Sequence, residues 1–219
     1  MKDKLSRRVA IKTTAAASIG IASGAFGDPK GSTKDLIREE NAKKGTRDWR
    51  LTNTKTVPGK INKILDNGRS KAIEGYCNAN SLRAGEKLKI MVSTNPASAF
   101  KLEIFRTGYY GGTGARLMKS FDSLKAGTQP DPPIGENYLR ECQWEPTLEL
   151  EIPQSWPSGV YLGKMTAERS GIQSYVIFIV RDDRPCDFLF QCSDLTWSAY
   201  NRWPADYSIY TPHEKGHST

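Results

Sequence analysis

The stretch CDFLFQCSDLTWSAYNRW, residues 186–203, changes its periodicity halfway along. Its first half, residues 187–192, is an apolar run between residues that favour turns, and such a run predicts a buried strand. In the second half an aromatic residue recurs every three positions, at Trp197, Tyr200 and Trp203. This spacing places the three rings along one face of a short helix. A strand that leads directly into a helix predicts the opening of an α/β domain.

Hydrogen-bonding side chains mark the start of this helix. Ser193, Asp194 and Thr196 can each accept a hydrogen bond from the first turn, which makes them candidate caps. Pro204 is expected to end the helix, because proline cannot continue it. Ligands of open α/β sheets bind where a strand meets the next helix, so Asp194 and Thr196 are candidate site residues. Residues 183–219 leave little room for further strands, and we expect the first strand and helix of a truncated α/β domain.

Upstream, residues 49–182 contain short apolar or alternating runs separated by turn residues. Alternation of polar and apolar residues, as in KLKIMV at 87–92, predicts strands with one buried face. About seven strands over such a length are typical of an immunoglobulin-like β-sandwich, so we predict a mainly β chain. The predicted strands are residues 72–77, 87–94, 99–107, 116–121, 148–152, 160–168 and 174–181.

A glycine-rich stretch, GYYGGTG at 108–114, lies between two of these predicted strands. It lacks the Gly-Lys-Ser/Thr ending and the following helix of a phosphate-binding loop. Gly111 and Gly112 can supply positive φ angles, so the stretch predicts a hairpin turn rather than a nucleotide site.

The N-terminus has the pattern of a targeting segment. Arg7 and Arg8 precede a weakly apolar run, residues 13–26, that is rich in Ala, Ser and Gly. This resembles a twin-arginine (Tat) signal peptide over residues 1–26, which implies the Tat export machinery as a partner and a periplasmic or secreted protein. An uncleaved tethering helix is the alternative, but the run is too short and polar for a stable membrane span. Residues 27–48 are interpreted as a linker or a loosely packed helix.

Net charge does not point to nucleic acid. The chain carries +8, but five of the cations and only one acid lie in residues 1–25. The rest of the chain carries +4 without a block of Lys or Arg, which is typical of an ordinary basic surface.

Cysteine and histidine spacing indicates no metal site by itself. Cys77, Cys142, Cys186 and Cys192 fit no paired Cys-x-x-Cys pattern. An intervening strand would hold Cys186 and Cys192 roughly 20 Å apart, too far for a disulfide, whereas the pairing of Cys77 with Cys142 stays open. The HEKGH motif at 213–217 has the letters of a zinc-protease motif, but its proline and glycine context favours a loop.

Four motifs occur in series along the chain: IEGY at 73–76, IFRTGYYGG at 104–112, WPSGVY at 156–161 and TWSAYN at 196–201. Together they resemble the family of the N,N-dimethylformamidase large (β) subunit. The resemblance implies a β-sandwich ahead of an α/β domain related to class I glutamine amidotransferases. It also implies hydrolysis of a linear amide at a mononuclear iron held by two tyrosines and a glutamate, together with a partner subunit.

Of these iron ligands, the resemblance places the first tyrosine at Tyr200. The alternative for Tyr200 is a core aromatic that stacks with Trp197 and Trp203. The other two ligands would follow residue 200, where the nearest residues of the right type are Tyr207, Tyr210 and Glu214.

We therefore expect the N-terminal portion of an exported dimethylformamidase-like amide hydrolase, inactive without the rest of its α/β domain. The alternative function is an exported, non-catalytic sandwich that binds glycan or protein. In that case Tyr109, Tyr110 and Trp144 would form an exposed aromatic platform.

Overall fold

The computed structural model describes residues 35–55, 70–135, 140–186, 188–201 and 203–204. Within these ranges the chain is mainly β, as predicted. The strands are β1 (Glu74–Cys77), β2 (Ser81–Arg83), β3 (Lys87–Ser93), β4 (Ser98–Thr107), β5 (Ala115–Ala126), β6 (Leu148–Glu151), β7 (Gly159–Ala167) and β8 (Gln173–Arg181). The helices are α1 (Leu36–Ala42) and α2 (Asp194–Tyr200), and a 3₁₀ turn covers Tyr110–Gly112. Neither helix in the described ranges is long and apolar enough to cross a membrane.

The strands of the described chain form two sheets. One has three antiparallel strands in the order β1-β3-β6. The other has five strands in the order β2-β8-β7-β4-β5, in which β2 is parallel to β8 and the other pairs are antiparallel. All seven strands predicted for the sandwich are present, whereas the sequence predicts β2 only as a turn that leads into β3. Its three residues are too few for an alternating pattern to show.

One apolar core draws side chains from both sheets. In β4, Phe100, Leu102 and Ile104 are fully buried, as period-2 alternation requires. Phe105 is also buried, but on the opposite face of the sheet, outside this core, where the ammonium group of Lys164 lies 5.5 Å from its ring centroid. The register between β4 and β5 shifts opposite Ile104 and Phe105, but the extra residue of this bulge is on β5, and β4 keeps an unbroken register with β7.

A stack of aromatic rings lies at the start of β7. Tyr161 lies between Trp156 and Phe178, with ring centroids 5.0 and 5.3 Å away. Its hydroxyl donates to the carbonyl of Pro157 at 2.6 Å, four residues upstream. A buried tyrosine that bonds back to its own chain in this way resembles the tyrosine corner of immunoglobulin-like domains, which supports the predicted sandwich type.

The glycine-rich stretch forms the predicted hairpin between β4 and β5. The Gly108 N–H donates to the Gly114 carbonyl at 3.0 Å and closes the loop. Gly111 and Gly112 have φ angles of 65° and 85°, which side-chain-bearing residues rarely adopt.

Within residues 27–48, predicted as a linker or a loosely packed helix, the described part contains the helix α1. Residues 35–53, here called the N-terminal arm, are tied to the large sheet although most of their side chains are exposed. The reason is Glu40 of α1, which is only 2% exposed. Its carboxylate accepts hydrogen bonds from Arg116 at 2.6 Å, Lys43 at 2.7 Å and Tyr110 at 2.9 Å. Three donors compensate the burial of one charge and fix the helix to β5 and the hairpin.

The predicted strand at residues 187–192 is not formed in the part that the structure describes. Residues 188–192 lie outside helices and strands, and Phe188 and Leu189 are each 90% exposed. None of the described strands pairs with this run, so its backbone has no ladder to join and its apolar side chains stay in solvent.

The predicted helix forms but is shorter than expected. Ser193 is its N-cap residue, although its side chain makes no capping bond, and α2 ends at Tyr200 with Asn201 extended. Trp203 therefore lies beyond the helix, and the expectation that it shares a face with Trp197 is wrong. Its indole N–H donates to Glu74 at 2.8 Å, and its ring meets Trp144 edge-on at 5.7 Å. These contacts with Glu74 on β1 and with Trp144 hold Trp203 outside the helix, although its spacing from Trp197 fits a helical face.

Candidate functional site

A cleft of about 390 Å³ lies between α2 and the outer face of β8. We call it the α2 cleft, and its lining residues are Asn80, Ile177, Ile179, Asp194, Trp197, Ser198, Tyr200 and Asn201. Ile177 and Ile179 are two residues apart on β8 and so share one face of the sheet. The cleft brings together two predicted site residues, Asp194 and Tyr200, whereas Thr196 is exposed and does not line it.

The α2 cleft combines an apolar floor with oxygen donors on the helix. Ile177 is 40% exposed on the floor, and Tyr200 is 64% exposed on the helix. The exposure of Tyr200 contradicts the alternative in which its ring is a core aromatic. A phenol and a carboxylate are hard oxygen donors, the type that suits ferric iron. Within the described ranges, no group of three His, Cys, Asp or Glu residues is placed to hold a metal ion.

Several predicted site residues lie outside the described residues. These are the twin arginines Arg7 and Arg8, the candidate ligands Tyr207, Tyr210 and Glu214, and the HEKGH motif at 213–217. For the candidate site, the described structure therefore bears only on Asp194, Thr196 and Tyr200.

The predicted aromatic platform is wrong for two of its three residues. Tyr109 is 72% exposed, but Tyr110 is 2% exposed and Trp144 is 6% exposed. Tyr110 turns inward because its hydroxyl accepts from Arg106 and donates to Glu40, both at 2.9 Å. Trp144 packs against Tyr76, with ring centroids 5.5 Å apart, so neither ring presents a face to a glycan.

A buried polar network lies beneath the glycine-rich hairpin, and the sequence patterns do not predict it. It runs from Glu40 through Tyr110 to Arg106, whose guanidinium donates to the Ser158 carbonyl at 2.7 and 3.1 Å. Burial raises the pKa of Tyr110, so the phenol keeps its proton and remains a donor to Glu40. The residue types are those that form buried hydrogen bonds, but the sequence does not show that they meet, because Glu40 and Tyr110 are 70 residues apart.

The cysteines do not form a reactive centre in the described structure. No disulfide joins Cys77, Cys142, Cys186 or Cys192. Burial raises the pKa of the Cys77 thiol to about 12, so it remains protonated at neutral pH and is a poor nucleophile. Burial, with the charge of Asp194, also raises the pKa of Cys192.

One family model matches the chain. Its description is "N,N-dimethylformamidase beta subunit-like, C-terminal", and the match covers residues 101–219. This region includes β8 and α2, the two elements on either side of the α2 cleft. No curated protein matches the chain.

Proposed function

Because this chain belongs to the N,N-dimethylformamidase beta subunit-like family, we propose that it is the N-terminal portion of an exported hydrolase of linear amides. The observation that carries the proposal is the α2 cleft, where the phenol of Tyr200 and the carboxylate of Asp194 lie over an apolar floor. An amide with small alkyl substituents fits such a surface, because its alkyl groups contact isoleucine while its carbonyl oxygen faces polar side chains.

Iron is part of this proposal, since the donor types in the cleft suit it. Tyr200 would offer the ion a phenolate oxygen, and the other ligands would come from outside the described residues. A bound ferric ion supplies Lewis-acid polarisation of an amide carbonyl. The side chains of Asn80 and Asn201 line the same cleft and would orient the amide by hydrogen bonds. Ile177 and Ile179 would exclude water from the alkyl side of the substrate.

Activity is proposed to require more protein than this chain. The family is described as beta subunit-like, which suggests a partner subunit. Ahead of α2 in sequence and at its start, Phe188, Leu189 and Leu195 are 90%, 90% and 88% exposed. Strands of a completed α/β domain would cover these side chains and bring further ligands to the cleft.

Export through the Tat system is the proposed route to the periplasm. Its support is the pair Arg7 and Arg8 ahead of the weakly apolar run at 13–26. Replacing both arginines by lysine keeps the charge and removes the pair, so we expect the R7K/R8K chain to stay in the cytoplasm on cell fractionation. Equal export of the two forms would remove the Tat assignment.

The amide hydrolase proposal is tested by co-expressing the chain with the polypeptide encoded directly downstream. We expect the complex to contain iron and to release dimethylamine from dimethylformamide, and the chain alone to do neither. Tyr200→Phe should weaken and shift the visible phenolate-to-iron absorption band, because one of the two expected phenolate ligands is lost. Tyr109→Phe is the matched control, because Tyr109 is a 72% exposed tyrosine on the hairpin, and it should keep the band.

The outcomes separate the parts of the proposal. Iron in the complex without hydrolysis of any linear amide would remove the substrate. A visible band unchanged in Tyr200→Phe would remove Tyr200 as a ligand. Turnover by the short chain alone would show that the site is complete without further protein.

A further inference from the structure

A second cleft, of about 660 Å³, lies where the N-terminal arm crosses the outer face of the large sheet. We call it the arm cleft. The sheet contributes Glu103 and Lys164, and the arm contributes Arg47, Asp48, Arg50, Leu51 and Thr52. It shares no lining residue with the α2 cleft, so an inference about the arm cleft does not rest on the proposed amide hydrolysis.

An ion pair between two adjacent strands forms the floor of the arm cleft. Glu103 of β4 and Lys164 of β7 face each other in register, and their charged atoms lie 3.1 Å apart. Lys164 is 7% exposed, and its ammonium group also donates to the Asp48 carbonyl, which ties the arm to the sheet. The cleft is therefore a fixed feature of the packed domain rather than a gap between loose loops.

The acidic groups of the arm cleft already have partners. Glu103 lies 3.1 Å from Lys101 as well as from Lys164, so two cations share its charge. The carboxylate of Asp48 accepts from the Thr46 hydroxyl at 2.7 Å. The charge of Glu103 is thus shared between two lysines, and one carboxylate oxygen of Asp48 is already hydrogen-bonded.

The arginines of the arm cleft, by contrast, have no carboxylate partner among the described residues. Arg47 and Arg50 flank a tight turn, closed by the Arg50 N–H donating to the Arg47 carbonyl at 3.2 Å. Such a turn holds the two backbones within about 7 Å, so both guanidinium groups can reach one ligand. With Lys164 they give the cleft three cations against two acids.

We propose that the arm cleft binds a small molecule through an oxyanion group, with Arg47 and Arg50 as its ligands. A guanidinium group presents paired N–H donors that match the paired oxygens of a carboxylate or a phosphate. The excess of one positive charge is balanced by one such group. The volume of about 660 Å³ leaves room for an organic body beyond the anion, within the usual size of a ligand site.

The test is a titration of the full chain, observed through the side-chain N–H signals of its arginines by nuclear magnetic resonance. The probes are glutarate for carboxylates and methyl phosphate for phosphates, with sodium chloride at equal ionic strength as the baseline. We expect saturable shifts of the Arg47 and Arg50 signals with at least one probe, at a dissociation constant of about 1 mM or lower. The probe that saturates identifies the source of the oxyanion.

Two double variants decide whether the arginines of the cleft are responsible. R47Q/R50Q should weaken binding at least about tenfold, because two charge-assisted hydrogen-bonding groups are lost. R38Q/R169Q removes the same charge from exposed arginines outside the cleft and should leave the affinity unchanged. Shifts that grow linearly with every salt, or an equal loss in the two variants, would overturn the proposal.

Discussion

The β-sandwich and the segment at residues 188–204 both contain apolar runs, but the runs are buried in strands in the first and exposed outside strands in the second. Phe105 on β4 and Phe178 on β8 are 0% and 1% exposed. Phe188 and Phe190, in a run that the sequence also predicts to be a strand, are 90% and 79% exposed. The two regions differ in their neighbours, since β4 pairs on both sides and the run after Cys186 pairs with none of the described strands.

The difference between the two regions shows that a strand is a property of the sheet that receives it. An apolar run gains little from extending unless a neighbour accepts its backbone hydrogen bonds and covers its side chains. In this chain the sandwich supplies both to β1–β8. In the 188–204 segment, Trp203 contacts the sandwich through a hydrogen bond to Glu74 and an edge-on contact with Trp144.

The largest expected effect tests whether the buried apolar side chains of the sandwich stabilise the protein more than the exposed ones at 188–190. Phe178→Ala should lower the free energy of unfolding by about 3–5 kcal/mol, because it opens a cavity beneath Tyr161 in a core that cannot collapse fully. Phe190→Ala should change it by no more than about 0.5 kcal/mol, as for other exposed positions. Urea denaturation measures both, and a large loss for Phe190→Ala would mean that the run is packed in solution.

A smaller effect is expected where the N-terminal arm joins the sandwich. Glu40→Gln should cost about 2 kcal/mol, because Arg116 and Lys43 lose the negative charge that they share. Glu39→Gln, one residue earlier on the exposed face of α1, should stay within about 0.5 kcal/mol. Equal losses for the two variants would show that α1 contributes through its helix and not through Glu40.

The hydrogen bonds of Glu40 also predict that the stability difference between wild type and Glu40→Gln depends on pH. Burial opposes ionisation of Glu40, but the hydrogen bonds from Arg116, Lys43 and Tyr110 outweigh it and lower its pKa from 4.5. A carboxyl group with a lowered pKa in the folded state stabilises the protein above its unfolded pKa and loses this contribution as pH falls. The stability gap between wild type and Glu40→Gln should therefore be constant from about pH 7 to pH 5 and close at lower pH. A gap that persists at pH 2 would contradict the lowered pKa.

The sequence predicts the sandwich strands better than the 188–204 segment, because alternation is visible only where a strand has one buried and one exposed face. Alternation over several residues, as in KLEIFR at 101–106, reveals the sandwich strands because it records two different environments. It cannot reveal β2, whose pattern is three residues long, or the bulge opposite Ile104 and Phe105, which depends on the partner strand. The run at 188–190 is uniformly apolar and has no alternation, so the sequence does not show whether another strand pairs with it.

The candidate site is predictable only in part, for a related reason. The spacing in the SDLTWSAY stretch predicts a helix and places Asp194 and Tyr200 near its ends, and the structure puts both on one cleft. The opposite wall, Ile177 and Ile179, comes from the other face of a strand that also contributes to the core. The arm cleft is not predictable, because it depends on contacts such as Lys164 to Asp48 between residues far apart in sequence.

The smallest expected effect concerns the contact that holds the 188–204 segment to the sandwich. Trp203→Phe keeps an aromatic ring against Trp144 but removes the N–H that donates to Glu74 at 2.8 Å. A net hydrogen bond contributes about 0.5–1.5 kcal/mol, so the segment should open about 2 to 10 times more often. Global unfolding should not change, because local opening of a terminal segment precedes it.

Limited proteolysis with chymotrypsin measures this opening, since the protease cuts after aromatic residues such as Phe188 and Phe190. Trp49→Phe is the matched control, because its indole also donates one hydrogen bond, to Thr113 at 3.0 Å, but in the N-terminal arm. Cleavage in the 188–204 segment should accelerate in Trp203→Phe and not in Trp49→Phe, because cleavage follows the population of the opened segment. If both variants are cut at the wild-type rate, the segment is held by contacts other than Trp203, and its apolar run is less isolated from the sandwich than its exposure indicates.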